Sequence, residues 1–206
     1  LWPGSDPETA LRDFKVALST LFKVLEPERK AGALSAYVTR DGTLYGLRPH
    51  ADLWLDAADF EQHLLAGDRL FAHDLESALA HYRQALALYQ GNYLQEYPYA
   101  EWCSEERERL LALYLRAADR MAQALAQRGQ WEAAIDVAEA LLARDNCWEA
   151  AYRLLMTAHA HLGNRPQALR AYQRCVECLR AELDVAPSEE TEQIHARVTR
   201  EPGSAR

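Results

Sequence analysis

No apolar run in this sequence approaches the roughly 18 residues that a membrane-spanning helix needs, so a membrane span is not expected. Lysine is nearly missing: Lys15, Lys23 and Lys30 are the whole supply, all within the first thirty residues. The formal net charge of −8 argues against a surface coated for nonspecific nucleic-acid binding, and leaves room for a small local basic face. Up to residue 56, seven basic residues meet eight acidic ones; beyond it, sixteen arginines meet twenty-three acids. The acid therefore gathers in the C-terminal three quarters.

Catalytic signatures are also lacking. There is no GxSxG, no glycine-rich phosphate loop, no HExxH and no dinucleotide fingerprint. The acids from Glu101 to Glu108 alternate with Arg107 and Arg109, as on a solvated, salt-bridged helix face, and offer no isolated acid and base pair. Cys175-Val176-Glu177-Cys178 has CxxC spacing, but zinc needs a second ligand pair at a fitting distance, and His159, His161 and His195 do not supply one. His159 and His161 are two apart and diverge on a helix. With Cys103 and Cys147, these cysteines read as structural thiols of a reducing cytoplasm. The expectation is a cytoplasmic protein that is no enzyme and takes no cofactor or metal.

Helical periodicity dominates what is present. Asp6 as N-cap and Pro7 at the first helical position open a helix over 6–26, which Pro27 ends. Leu11, Phe14, Leu18, Leu21 and Leu25 recur at helical steps and form one apolar stripe. Arg12, Lys15, Ser19 and Lys23 lie on the other side. The segment "LSAYVTRDGTLYGLRP" then holds two β-prone runs, 35–39 and 43–47, around Arg40-Asp41-Gly42, which predicts a hairpin with Arg40 at its tip. Beyond residue 56 the pattern is helical, over 57–67, 74–90, 100–128 (with a separate short turn at its start), 131–144, 147–162, 165–183 and 188–198.

The helical part repeats itself. Gly129 and Gly163 stand 34 residues apart, each just before a helix, and Ala134, Ala138 and Leu142 then match Ala168, Tyr172 and Val176. An earlier copy carries Ala78, Tyr82 and Ala85. A helix-turn-helix period of this length is the tetratricopeptide signature, although Asn146 and Arg180 stand where that repeat ends in proline. The fold class is therefore mainly α, a tetratricopeptide-like stack of antiparallel helix pairs preceded by an amphipathic helix and a β-hairpin. An insert, "GNYLQEYPYAEWCSEERERLL", separates the first copy from the second. Two readings of its aromatic residues stay open: Tyr97 and Trp102 packed against neighbouring helices, or a partner or small-ligand face; Tyr93, Tyr97, Tyr99 and Trp102, with Trp131 on a later helix, are the candidate protein-contacting residues.

An amphipathic helix, a short connection and a hairpin follow the order of the second half of a winged helix-turn-helix. "LWPGSDPETALRDFKVALSTLFKVLEP" with "YVTRDGTLYGLRPHADLWLDAADFEQHL" resembles the late part of an OmpR-type DNA-binding domain. The rest, from "LDAADFE" through "GNYLQEYPYAEW" to "LRAELDVAPSEET", resembles the bacterial transcriptional activator domain that follows it in SARP-type regulators. The resemblance implies a partial winged helix over 1–54, the activator domain over 55–199 and a tail over 200–206. In it Leu1-Trp2 would end a preceding helix, 6–26 would be the recognition helix and 35–47 the wing. It implies promoter DNA contacts from Arg12, Lys15, Ser19, Thr20, Lys23 and Arg40, and a protein partner or self-association through the helical domain. The alternative is an interaction scaffold of a signalling protein that does not touch DNA. The chain departs from the family at Phe22 and Val24, where basic residues are usual, and at Asp13.

Overall fold

The computed structural model describes residues 4–30, 32–48 and 51–200; the Leu1-Trp2 segment and the tail beyond Arg200 lie outside the described residues. The chain divides into two compact units, Leu1–Leu55 and Asp56–Arg206.

In the first unit, Asp6 accepts from the backbone N–H groups of Glu8 and Thr9, both at 3.0 Å, and starts α1 (Pro7–Leu25). That satisfies two of the amides a helix start leaves free. Glu26 leaves the helix before Pro27, and its carboxylate accepts from Ser35 Oγ and from Ala36 N at 2.7 Å. The Ser35 hydroxyl bond, helped by the Ala36 amide, holds the Glu26 pKa below its ordinary value. Ser35 Oγ also accepts from the amides of Tyr37 and Val38, so residue 35 is a clasp for the hairpin rather than its first strand residue.

The hairpin is β1 (Val38–Asp41) against β2 (Leu44–Leu47), antiparallel, with Arg40 opposite Tyr45. This corrects the expected turn. Gly42 and Thr43 form it, with Gly42 at φ +58° as a two-residue hairpin turn demands, and Arg40 sits one residue inside the strand. No residue of α1 is fully buried. Phe14 meets Tyr45 edge-on with ring centroids 5.0 Å apart, while Leu11 and Leu21 stay exposed.

The second unit holds α2 (Asp56–Leu70), α3 (Leu75–Leu88), a 3-10 turn (Glu101–Cys103), α4 (Ser104–Gln127), α5 (Trp131–Leu142), α6 (Glu149–His161), α7 (Arg165–Leu183) and α8 (Glu189–Arg200). α2 runs three residues past its expected end and α3 stops two before, freeing Tyr89 to fold into the core beside Phe60 and Tyr114. Successive helices pack on one another, and α8 closes the stack against α6 and α7.

The repeat is visible in burial. Ala78, Ala134 and Ala168 are fully buried, and so are Ala85, Leu141 and Cys175, each seven residues further on. The alanine at the first point of each copy lets paired helices approach closely. The turns repeat as well: Gly129 and Gly163 share φ +71°, and Gln130 N bonds Leu125 O as Asn164 N bonds His159 O, at 2.9 and 2.8 Å. This is the left-handed glycine that closes a helix C-terminus.

Gly67 is required for a different reason. A Cβ there would lie 2.7 Å from Tyr82 Cε1, and Tyr82 is fully buried and cannot yield. Gly67→Ala gains about 1 kcal/mol of helix propensity and loses about 1–3 kcal/mol to overpacking. The expected result is a net loss, read as a lower urea midpoint; a raised midpoint would show that Tyr82 can move.

Candidate functional site

The outer face of α1 follows from helical spacing. Glu8, Leu11, Arg12, Lys15, Val16, Ser19, Thr20 and Lys23 line one shallow groove of about 490 Å³ along that helix. Arg12, Lys15, Ser19, Thr20 and Lys23 are all exposed, so the structure brings together five of the six candidate DNA-contacting residues. They are not equally free. Arg12 reaches Asp13 at 3.4 Å in a solvent-exposed pair, worth little, whereas Thr20 Oγ1 donates to Val16 O at 3.1 Å and keeps only acceptor capacity. Arg40 belongs to the hairpin, its Nε donating to Gly42 O at 2.8 Å and its guanidinium lying 5.5 Å from the Tyr45 ring centre. Phe22, which stands where the family pattern favours a basic residue, is half-buried with the Arg29 guanidinium 4.0 Å above its ring.

The aromatic insert is a second candidate surface, and here the packing expectation is corrected. Tyr97, Tyr99 and Trp102 are 64%, 95% and 58% exposed. Only Tyr93 packs on the core, beside the buried Tyr89. The reason is Arg107. Its guanidinium donates to the carbonyls of Tyr93 (3.0 Å), Tyr97 (3.1 Å) and Pro98 (3.2 Å) and to Cys103 Sγ (3.2 Å). Arg107 therefore does not serve the acidic helix face, where Arg109 alone bridges Glu106 and Glu61, at 2.7 and 2.6 Å. Anchored by its backbone carbonyls, the loop leaves its rings outside. Trp131 is apart from them on α5, half-buried and stacked on His161 at 4.1 Å and 6°.

The CxxC spacing proves incidental. Cys175 is fully buried, and burial pushes its thiol up to about 12. Cys178 instead meets Cys147, Sγ to Sγ at 3.4 Å, and burial, with Cys178 beside it, pushes the Cys147 thiol up to about 11. All four cysteines are free. His63 and His81 also meet unforeseen, Nδ1 to Nδ1 at 3.0 Å between α2 and α3. Neither pair shares a local spacing, so no linear motif could have shown them. Among the described residues no three His, Cys, Asp or Glu side chains group as a metal site, and no helix is long and apolar enough to cross a membrane.

No curated protein matches this chain. Among solved structures, Mycobacterium tuberculosis EmbR, determined with a low-affinity phosphopeptide, is similar with a TM-score of 0.82 and 24% identity. That match covers 97% of this chain and 52% of EmbR, so the chain spans about half of EmbR's length. The TPR2B domain of yeast Sti1 in its pHsp70 complex gives 0.51 at 17% identity, covering 69% of this chain and 97% of that one. The C-terminal tetratricopeptide domain of a Plasmodium falciparum putative FK506-binding protein gives 0.51 at 16%, covering 71% and 94%. These similarities establish a helical-repeat fold. The model of the bacterial transcriptional activator domain matches residues 55–199, well over half of the chain. The chain therefore belongs to the bacterial transcriptional activator domain family.

Proposed function

We propose that this chain is part of a bacterial transcription regulator in which the first unit is the recognition helix and wing of a winged helix. The helical domain makes protein contacts, with a partner or with a second copy. The observation that carries the DNA reading is the alignment of Arg12, Lys15, Ser19 and Lys23 along one exposed groove of α1. Lys15 and Lys23 meet phosphates, and Arg12 reaches a phosphate or a guanine edge. Ser19 serves either, while Thr20, its proton engaged with Val16 O, acts as an acceptor. Arg40 meets backbone from the hairpin. The EmbR match supports the reading, since its 97% coverage of the chain extends into the first unit.

The test is a gel shift with the full-length parent protein and fragments of its own genome at rising salt. Binding weakens with salt as counterions are released, and Lys15→Glu with Lys23→Glu reduces the magnitude of the slope of log K against log salt by about 1.8. Absent or salt-independent binding overturns the DNA role. The second reading, an interaction scaffold without DNA contact, is favoured by Leu11 and Val16, exposed apolar residues lining the same groove beside Glu8. It requires the double reversal to leave regulatory output unchanged.

A further inference from the structure

The aromatic loop between α3 and α4 is held rigidly with Tyr93 packed on the core, and it leaves most of the surface of Tyr97, Tyr99 and Trp102 in solvent. Three features coincide there. First, Arg107 fixes the backbone through three carbonyls. Second, Leu94 holds φ +49°, a left-handed conformation unfavourable for leucine, and its carbonyl accepts from Tyr97 N at 2.9 Å to close the turn. Third, Tyr97, Tyr99 and Trp102 project into solvent with Pro98 among them. Aromatic side chains on a fixed backbone have few rotatable bonds to freeze on binding and serve as interface anchors.

The charge around them selects the occupant. Glu96, Glu101 and Glu105 are exposed, and among the described residues no basic side chain pairs with them. The two nearby arginines are committed elsewhere, Arg107 to the loop carbonyls and Arg109 to Glu61 and Glu106. Glu105 and Glu106 complement the α4 dipole, whereas Glu96 lies in the loop and Glu101 opens only a single 3-10 turn. Nucleic acid is disfavoured because its phosphates would face carboxylates. A second copy across a two-fold axis would set this acidic rim against itself. An arginine side chain suits both features, stacking its guanidinium on an aromatic face while pairing with a carboxylate.

We propose that Tyr97, Tyr99 and Trp102, rimmed by Glu96 and Glu101, form the docking surface for an arginine-bearing peptide segment of a protein partner. This rests on the protein-contact reading of the helical domain and names the chemistry of the partner.

The test is isothermal titration of the full chain with a capped octa-arginine peptide. Tyr97→Ala, Tyr99→Ala and Trp102→Ala combined change no charge and remove no buried side chain. This variant should bind at least tenfold more weakly, with an unchanged circular dichroism spectrum. Glu96→Gln with Glu101→Gln should weaken binding severalfold. Glu132→Gln with Glu177→Gln, the same charge change at exposed sites on α5 and α7, should leave it unchanged. Unaltered affinity of the aromatic variant, or equal weakening by both glutamine pairs, overturns the proposal in favour of diffuse attraction to a net charge of −8. A dimer that the aromatic substitutions dissociate, seen by sedimentation, overturns it in favour of a second copy. Transcript profiles of cells carrying the full-length parent with the aromatic substitutions separate the two levels. Altered profiles without octa-arginine binding leave the interaction surface standing and remove the arginine assignment; unchanged profiles remove both.

Discussion

Tyr82→Ala should cost the helical unit about 3–5 kcal/mol, the range for deleting a large buried ring. Tyr82 is fully buried, lies over Gly67 and packs edge-on against Phe71 with centroids 6.5 Å apart. Its hydroxyl donates to Asp68 Oδ1 at 2.8 Å, and burial, with that carboxylate beside it, raises the phenol pKa above its ordinary value. Removing the ring leaves a cavity between α2 and α3 that a glycine on one wall cannot fill. Tyr82→Phe keeps the volume, and Asp68 retains Arg116 at 3.5 Å, so about 1 kcal/mol is expected. Tyr99→Ala, at 95% exposure, should stay within about 0.5 kcal/mol of the parent. Urea unfolding followed by circular dichroism ranks the three. Similar midpoints for Tyr82→Ala and Tyr99→Ala would contradict the packing described.

Glu149 carries the second large effect. From the first turn of α6 it accepts from Ser188 N and Ser188 Oγ, both at 2.7 Å, and from Thr191 Oγ1 at 2.5 Å. Arg153 holds the same region through Glu190 at 3.3 Å. One carboxylate thus ties the start of α8 to the repeat stack, and Thr191 is fully buried where it does so. Glu149→Ala should cost about 2–4 kcal/mol, because these bonds go to a charged acceptor and their donors lose it. α8 should then be cleaved faster by trypsin at Arg197 and Arg200. Glu149→Gln preserves shape and should fall between.

The same residue predicts a pH dependence. Burial raises the Glu149 pKa, but the hydroxyl and amide hydrogen bonds and the Arg153 charge outweigh it and leave the folded value below the ordinary 4.5. A depressed carboxylate pKa means that the unfolded state binds the proton more tightly. Its stabilisation is fully present above about pH 4.5 and fades as pH falls through the folded value. Stability of the parent should drop across that acid window, and the drop should be smaller in Glu149→Ala. An identical acid limb in both proteins would assign the loss to other carboxylates.

Particular residues show how far the sequence could be read. Asp6 and Pro7 announced α1 because a cap and a first-turn proline act locally. Ala78, Ala134 and Ala168 announced the stack because close helix packing demands a small side chain at each recurrence. Arg40 was misplaced by one strand position, since an Asp-Gly pair signals a turn without saying whether Asp closes the strand or opens the loop. Tyr97 and Trp102 could be read either as core or as an outer face because a run of aromatic residues suits both, and only the path of Arg107 shows the loop turned outward.

Periodicity, capping and repeat length were therefore determined by the sequence itself, because each depends on residues within a turn or one repeat of one another. The Cys147–Cys178 and His63–His81 contacts, the Glu149 anchor for α8 and the exposure of the aromatic loop were decided by the tertiary structure alone. In each, the partner is set by how helices far apart along the chain pack, and hydrogen bonds such as those of Arg107 and Glu149 choose between orientations that local spacing leaves equivalent.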